Sequence, residues 1–184
     1  GDAYAYYQNA GEPNPVSGNW TVSFVQGGPQ LPASITVDSL ASWTDFSGDE
    51  YKAFSGTAVY TTTIDKVPVA DVIKLDLGSV AENASVYLNG DYIGTVIDSP
   101  YQLYIPAEKF KGQDELVVRV ANSMANRIAY MDKKGMDWKI FYNVNMSARK
   151  KENVKNGIFD ASNWEPKPSG LLGPVMLIPV VVKQ

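Results

Sequence analysis

Residues 86 to 93 read Val86-Tyr87-Leu88-Asn89-Gly90-Asp91-Tyr92-Ile93, and this stretch decides the fold class. Asn-Gly accepts positive φ at both central positions of a type I′ turn, whose twist matches that of two paired strands. The stretch therefore reads as a two-residue β-hairpin. Its register sets Tyr87 opposite Tyr92, an aromatic pair on one face, and Val86 opposite Ile93, an aliphatic pair on the other.

Working outward, the same period of two recurs in short runs bounded by Gly, Pro, Asn and Asp. Trp20, Val22 and Phe24 alternate with Thr21 and Ser23, and Ile35 and Val37 flank Thr36. Ala58, Tyr60, Thr62 and Ile64 alternate with Val59, Thr61 and Thr63 in a run rich in the β-branched residues that suit a pleated surface. Ile73, Leu75 and Leu77 continue the pattern, as do Leu103 and Ile105, and Leu116, Val118 and Val120. Pro106 to Phe110 reads as one helical turn and Lys111-Gly112-Gln113-Asp114 as the turn after it. About eight such strands joined by turns indicate an all-β antiparallel sandwich. Ser169-Gly170 opens a last strand, which Gly173 and Pro174 kink and confine to an edge or bulge.

The 184 residues carry 16 basic and 20 acidic side chains, a formal charge of −4, with no cysteine and no histidine. The length suits a single domain, 1–184, with an N-terminal extension over 1–18. Without cysteine and histidine there is no disulfide framework, thiolate nucleophile, His-based triad or Cys/His metal site. The acidic balance argues against nucleic acid as a partner, and no apolar run is long enough for membrane insertion. Between Ala121 and Gly170 the alternation stops, and a connection of that length is usually functional. This 121–170 insertion holds Tyr130, Trp138, Phe141, Tyr142, Phe159 and Trp164, and Met146 to Lys155 reads as a short basic helix with a solvated face.

The ordered series Trp43-Thr44, Ser55 to Tyr60, Leu75-Asp76-Leu77-Gly78, Ala84 to Gly90, Pro100-Tyr101, Leu116 to Val120, Asn122, Asn126-Arg127 and Ser169 to Val175 resembles a known module. It is similar to the galactose-binding-like β-sandwich, or jelly roll, at the C-terminal end of glycoside hydrolase family 106 α-L-rhamnosidases, a relative of the sugar-binding domain of family 2. The resemblance covers roughly Trp20 to Val182. It implies a non-catalytic carbohydrate-binding or accessory domain of a larger glycoside hydrolase acting on plant or microbial polysaccharide. The catalytic carboxylates would then lie in another domain of the same polypeptide, and the location would be periplasmic or extracellular. The expected partners are carbohydrate and that catalytic domain. The alternative is a purely structural docking domain.

For carbohydrate binding the candidates are Asn122, Asn126 and Arg127, as amide and guanidinium donors to hydroxyls, and Tyr130, Trp138, Tyr142 and Trp164, as planes for the apolar face of a pyranose. The three polar residues serve equally as hydrogen-bond partners for backbone at the base of the insertion. Asp132, Asp137, Asp160 and Glu165 are the carboxylates from which a self-contained glycosidase would draw its pair. No catalytic residue and no cofactor is expected. Related sandwiches often carry a structural calcium, but no Asp-rich ligand loop occurs here.

Overall fold

A computed structural model describes residues 6–140 and 150–183. In chain order the elements are β1 (Tyr6–Asn9), β2 (Asn14–Pro15), β3 (Trp20–Gly28), β4 (Ile35–Val37), α1 (Asp49–Ala53), β5 (Ser55–Ile64), β6 (Val72–Asp76), β7 (Ser79–Ala81), β8 (Asn83–Leu88) and β9 (Asp91–Val96). They continue as β10 (Gln102–Pro106), β11 (Asp114–Ala121), α2 (Ala125–Lys133), β12 (Val154–Lys155), β13 (Ile158–Phe159), β14 (Gly170–Gly173) and β15 (Met176–Lys183). A six-stranded antiparallel sheet runs β4-β3-β5-β11-β8-β9, and a five-stranded one runs β1-β15-β6-β10, with β2 also paired to β15.

One hydrophobic cluster joins the two sheets. It takes Val22 and Phe24 from β3, Ala58 and Tyr60 from β5, and Leu116, Val118 and Val120 from β11, against Ile73 and Leu75 from β6, Ile105 from β10 and Leu177 from β15. These are the inward members of each alternating strand, so the expected all-β sandwich follows from the period of two. Asp114, the inward residue that opens β11, is fully buried. Its carboxylate accepts hydrogen bonds from the Lys111 and Gly112 backbone and the Asn89 amide, which locks the turn expected there. Among the described residues no helix is long and apolar enough to cross a membrane.

Several details differ from the sequence expectations. Tyr87 does face Tyr92, with ring centroids 5.4 Å apart, but a bulge places Val86 opposite Gly94 instead of Ile93. The last strand is two strands. Gly173, at φ +68, turns the chain so that β14 pairs with β7, while β15 enters the other sheet between β6 and β1/β2 as a central strand. Pro179 brings no N–H to that strand, but its carbonyl accepts from the Ala10 N–H at 2.8 Å. The segment read as an N-terminal extension thus supplies the edge of that sheet.

The basic helix expected over Met146 to Lys155 is absent from its described part. Residues 151–153 form a single 3₁₀ turn, and Val154–Lys155 pairs with Ile158–Phe159 across Asn156-Gly157. Both turn residues have positive φ, the same hairpin chemistry as Asn89-Gly90.

Candidate functional site

The insertion is built from the end of β11 upward. Asn122 ties it to the sandwich: its Oδ1 accepts from Gly56 N at 2.8 Å, and its Nδ2 donates to Phe54 O and to Ser169 Oγ. The helix α2 then forms over residues free of Gly and Pro. It ends where Gly135, at φ +63, lets the Met136 N–H reach Met131 O at 2.9 Å and its own N–H reach Asp132 O at 3.1 Å, a Schellman stop. Asn126, on its first turn, reads both backbone groups of one residue in the returning chain, accepting from Lys167 N at 2.8 Å and donating to Lys167 O at 2.9 Å. Ser169 closes the return by donating its N–H to Ser42 Oγ at 2.9 Å. The amides of Asn122 and Asn126 are thereby engaged within the fold, which satisfies irregular backbone that would otherwise go unpaired.

Under the insertion lies a satellite core of Ala129, Met131, Phe159 and Ala161, all buried and separate from the sandwich cluster. Trp164 packs edge-on against Phe159 at 5.7 Å, and its indole N–H donates to Asn153 Oδ1 at 2.8 Å. The helix α1 is held from the sandwich side by Tyr51, whose ring contacts Phe24 and Phe46 at 5.5 Å and whose hydroxyl donates to Ala33 O. That anchoring leaves Asp49 and Lys52 exposed.

Between these pieces opens a cleft of about 240 Å³. Asp49, Lys52 and Ala53 of α1 form one wall. Asn126, Ala129, Tyr130, Lys133 and the adjoining Lys134 form the facing stripe of α2, and Trp164 and Pro166 close the end. Lys133 Nζ donates to Trp164 O at 3.2 Å, and Lys134 Nζ lies 5.7 Å from the centre of the Tyr130 ring. The Arg127 guanidinium sits 5.8 Å from the same ring, with its Nη1 buried and without a hydrogen-bond partner among the described residues.

Of the seven residues expected to bind sugar, then, Asn126, Tyr130 and Trp164 line one cleft. Arg127 lies beside it, and Asn122 is at the root of the insertion. Trp138 belongs to a second groove with Asp132, Lys139, Lys155 and Asp160, and Tyr142 lies outside the described residues. Lys52, Lys133 and Lys134 were not singled out from sequence. The Lys133-Lys134-Gly135 sequence is itself a helix stop with cations in the last turn, the signal that would have found α2 and its lysines.

Asp132, Asp137, Asp160 and Glu165 do not share one setting. Asp132 is almost fully buried and accepts from the Trp138 indole at 2.7 Å, from Ala161 N at 2.7 Å and from the Lys139 ammonium, its ion-pair partner. Asp160 is held below the ordinary carboxylate range, chiefly by the Ser162 hydroxyl. That shift is opposite to what a glycosidase acid requires. Asp137 and Glu165 are exposed.

No protein-family model matches the chain. A putative beta-glucuronidase of Formosa agariphila is 29% identical over 187 residues, covering 94% of this chain and 16% of that protein. The solved structure of a rhamnosidase from Novosphingobium sp. PP1Y superposes with a TM-score of 0.72 at 29% identity, covering 97% of this chain and 16% of that one. A Bifidobacterium dentium beta-glucuronidase shares the fold alone, with a TM-score of 0.57 at 20% identity over 91% of this chain and 29% of that one. The chain thus spans about 16% of the length of the first relatives it matches, and over nearly all of its own length it is similar to one all-β domain of much larger glycoside hydrolases.

Proposed function

We propose that this chain is a non-catalytic accessory domain of a glycoside hydrolase, and that it meets carbohydrate at the cleft between α1 and α2. The observation that carries the reading is the similarity over 97% of the chain to one part of a rhamnosidase. A single domain of a large glycosidase that brings no compact catalytic constellation of its own is an accessory part. The cleft supports the carbohydrate element of the reading. Tyr130 and Trp164 are half-buried aromatics at a common opening, and the indole is pinned by Asn153 and Phe159. The ordered motif series supports a finer placement among α-L-rhamnosidase-like proteins of family 106. Calorimetric titration of the chain with rhamnose- and galactose-based oligosaccharides tests the reading. Binding heat abolished by Trp164→Ala is the expected result, and no heat with any sugar would remove the binding element.

A second reading, docking on a catalytic domain of the same polypeptide, is favoured by the outer face of the β1-β15-β6-β10 sheet. There Tyr7 and Tyr104 stack at 4.2 Å with both rings exposed, beside exposed Val182, the cross-strand partner of Tyr7. Reduced solubility of the isolated chain, relieved by Tyr7→Ser with Tyr104→Ser, is its expected sign.

A further inference from the structure

We propose that the cleft between α1 and α2 selects a negatively charged pyranose unit, one bearing a carboxylate or a sulfate ester, over a neutral one; this rests on the reading of the cleft as a carbohydrate contact. The whole chain carries more acidic than basic side chains, yet the cleft gathers Lys52, Lys133 and Lys134 around a single carboxylate, Asp49. Among the described residues none of these lysines forms an ion pair, since the one such pair joins Lys139 to Asp132. Three ammonium groups around one small opening, with no ion-pair partner among the described residues, repel one another, and an anion placed between them relieves that repulsion. The field is reinforced from behind by Arg127, whose guanidinium stands 5.8 Å from the Tyr130 ring and has no carboxylate partner among the described residues.

Size and shape favour a sugar over a peptide. About 240 Å³ falls just under the roughly 300 Å³ at which pockets for drug-sized ligands begin, which suits one ring with its substituent. Tyr130 and Trp164 supply apolar surface for the C–H face, and the lysines supply donors for the charged group.

The test uses the chain as it stands, titrated with galactotriose, trigalacturonate and 6-O-sulfated galactotriose, following heat and tryptophan fluorescence. At least one anionic trisaccharide is expected to bind about tenfold or more tightly than galactotriose, and to weaken as salt rises from about 20 to about 200 mM. Which of the two is tighter names the source of the charge. The variant Lys52→Gln with Lys134→Gln, neither of which touches the Trp164 backbone, should lose that preference while keeping its thermal midpoint. Equal binding of neutral and anionic trisaccharides would overturn the charge inference and leave the carbohydrate reading standing. Charge preference retained in the double variant would also overturn it, because the anion would then sit elsewhere. No binding of any trisaccharide would overturn both, and binding of a hexaglutamate peptide in their place would make the cleft a protein contact.

Discussion

Gly170→Ala is the substitution whose consequence is best defined by the structure. Gly170 opens β14 at φ +105, a conformation that side chains rarely adopt. A Cβ built there would lie 2.1 Å from the Tyr60 hydroxyl oxygen and 2.8 Å from Trp43 Cε3. Neither ring can retreat, because both are fully buried in the sandwich core. The backbone strain costs about 1–3 kcal/mol and the overpacking about 1–3 kcal/mol more. A total near 4 kcal/mol lowers the melting midpoint by roughly 8–16 °C in a chain of this length.

The Tyr60 hydroxyl supplies the decisive control. Burial raises its pKa well above the ordinary value; the backbone of Leu171 only partly offsets this, and among the described residues the oxygen makes no well-formed hydrogen bond. Tyr60→Phe alone should therefore shift stability by less than about 1 kcal/mol. In the Gly170→Ala background it removes the nearest clash and should restore about 1–2 kcal/mol. Gly90→Ala gives the comparison, since φ is +84 but nothing lies within 4 Å, leaving only a backbone cost of about 1–2 kcal/mol. Urea unfolding followed by tryptophan fluorescence reads all four chains. A Gly170→Ala protein as stable as the Gly90→Ala one, or one that Tyr60→Phe fails to rescue, would refute the steric argument.

Asp132→Ala strips the Trp138 indole, the Ala161 N–H and the Lys139 ammonium of their common acceptor, and should cost about 2–4 kcal/mol in urea unfolding. Asn126→Ala releases both backbone groups of Lys167 and should cost about 1–3 kcal/mol, with faster proteolysis at the 160–168 segment as its local sign. The Asp160 carboxyl is depressed chiefly by Ser162, so its stabilising effect is complete above the ordinary carboxylate value and is lost only as pH falls through the lower folded one. In an NMR titration, Ser162→Ala should move the Asp160 midpoint upward; an unmoved midpoint would assign the shift to Lys155 and Lys139 instead.

The sandwich was legible because its strands bury one face, and that face repeats every second residue in β3, β5 and β11. Registers were less so. The bulge between Val86 and Tyr87 leaves no trace in an alternating sequence, and only the tertiary position of β9 selects Gly94 opposite Val86. The division of the last strand into β14 and β15 was half visible: Gly173-Pro174 announced an interruption, but which sheet each half would join depends on long-range pairing. In the insertion, α2 was hidden because its buried residues are Asn126, Ala129 and Met131, a stripe with little hydrophobic contrast. The β12-β13 hairpin turns on Asn156-Gly157, which repeats the signal of Asn89-Gly90. The cleft lysines were invisible as a group, since Lys52 and Lys133 are brought together only by the packing of α1 on α2.

The central claim, that the cleft between α1 and α2 is where this domain meets carbohydrate, is tested most directly by amide chemical-shift mapping of the labelled chain during titration with trigalacturonate. The expected perturbations saturate together and cluster on residues 49–53, 126–134 and 164–166. Perturbations centred on Tyr7 and Tyr104 across the sheet, or none at saturating sugar, would contradict it.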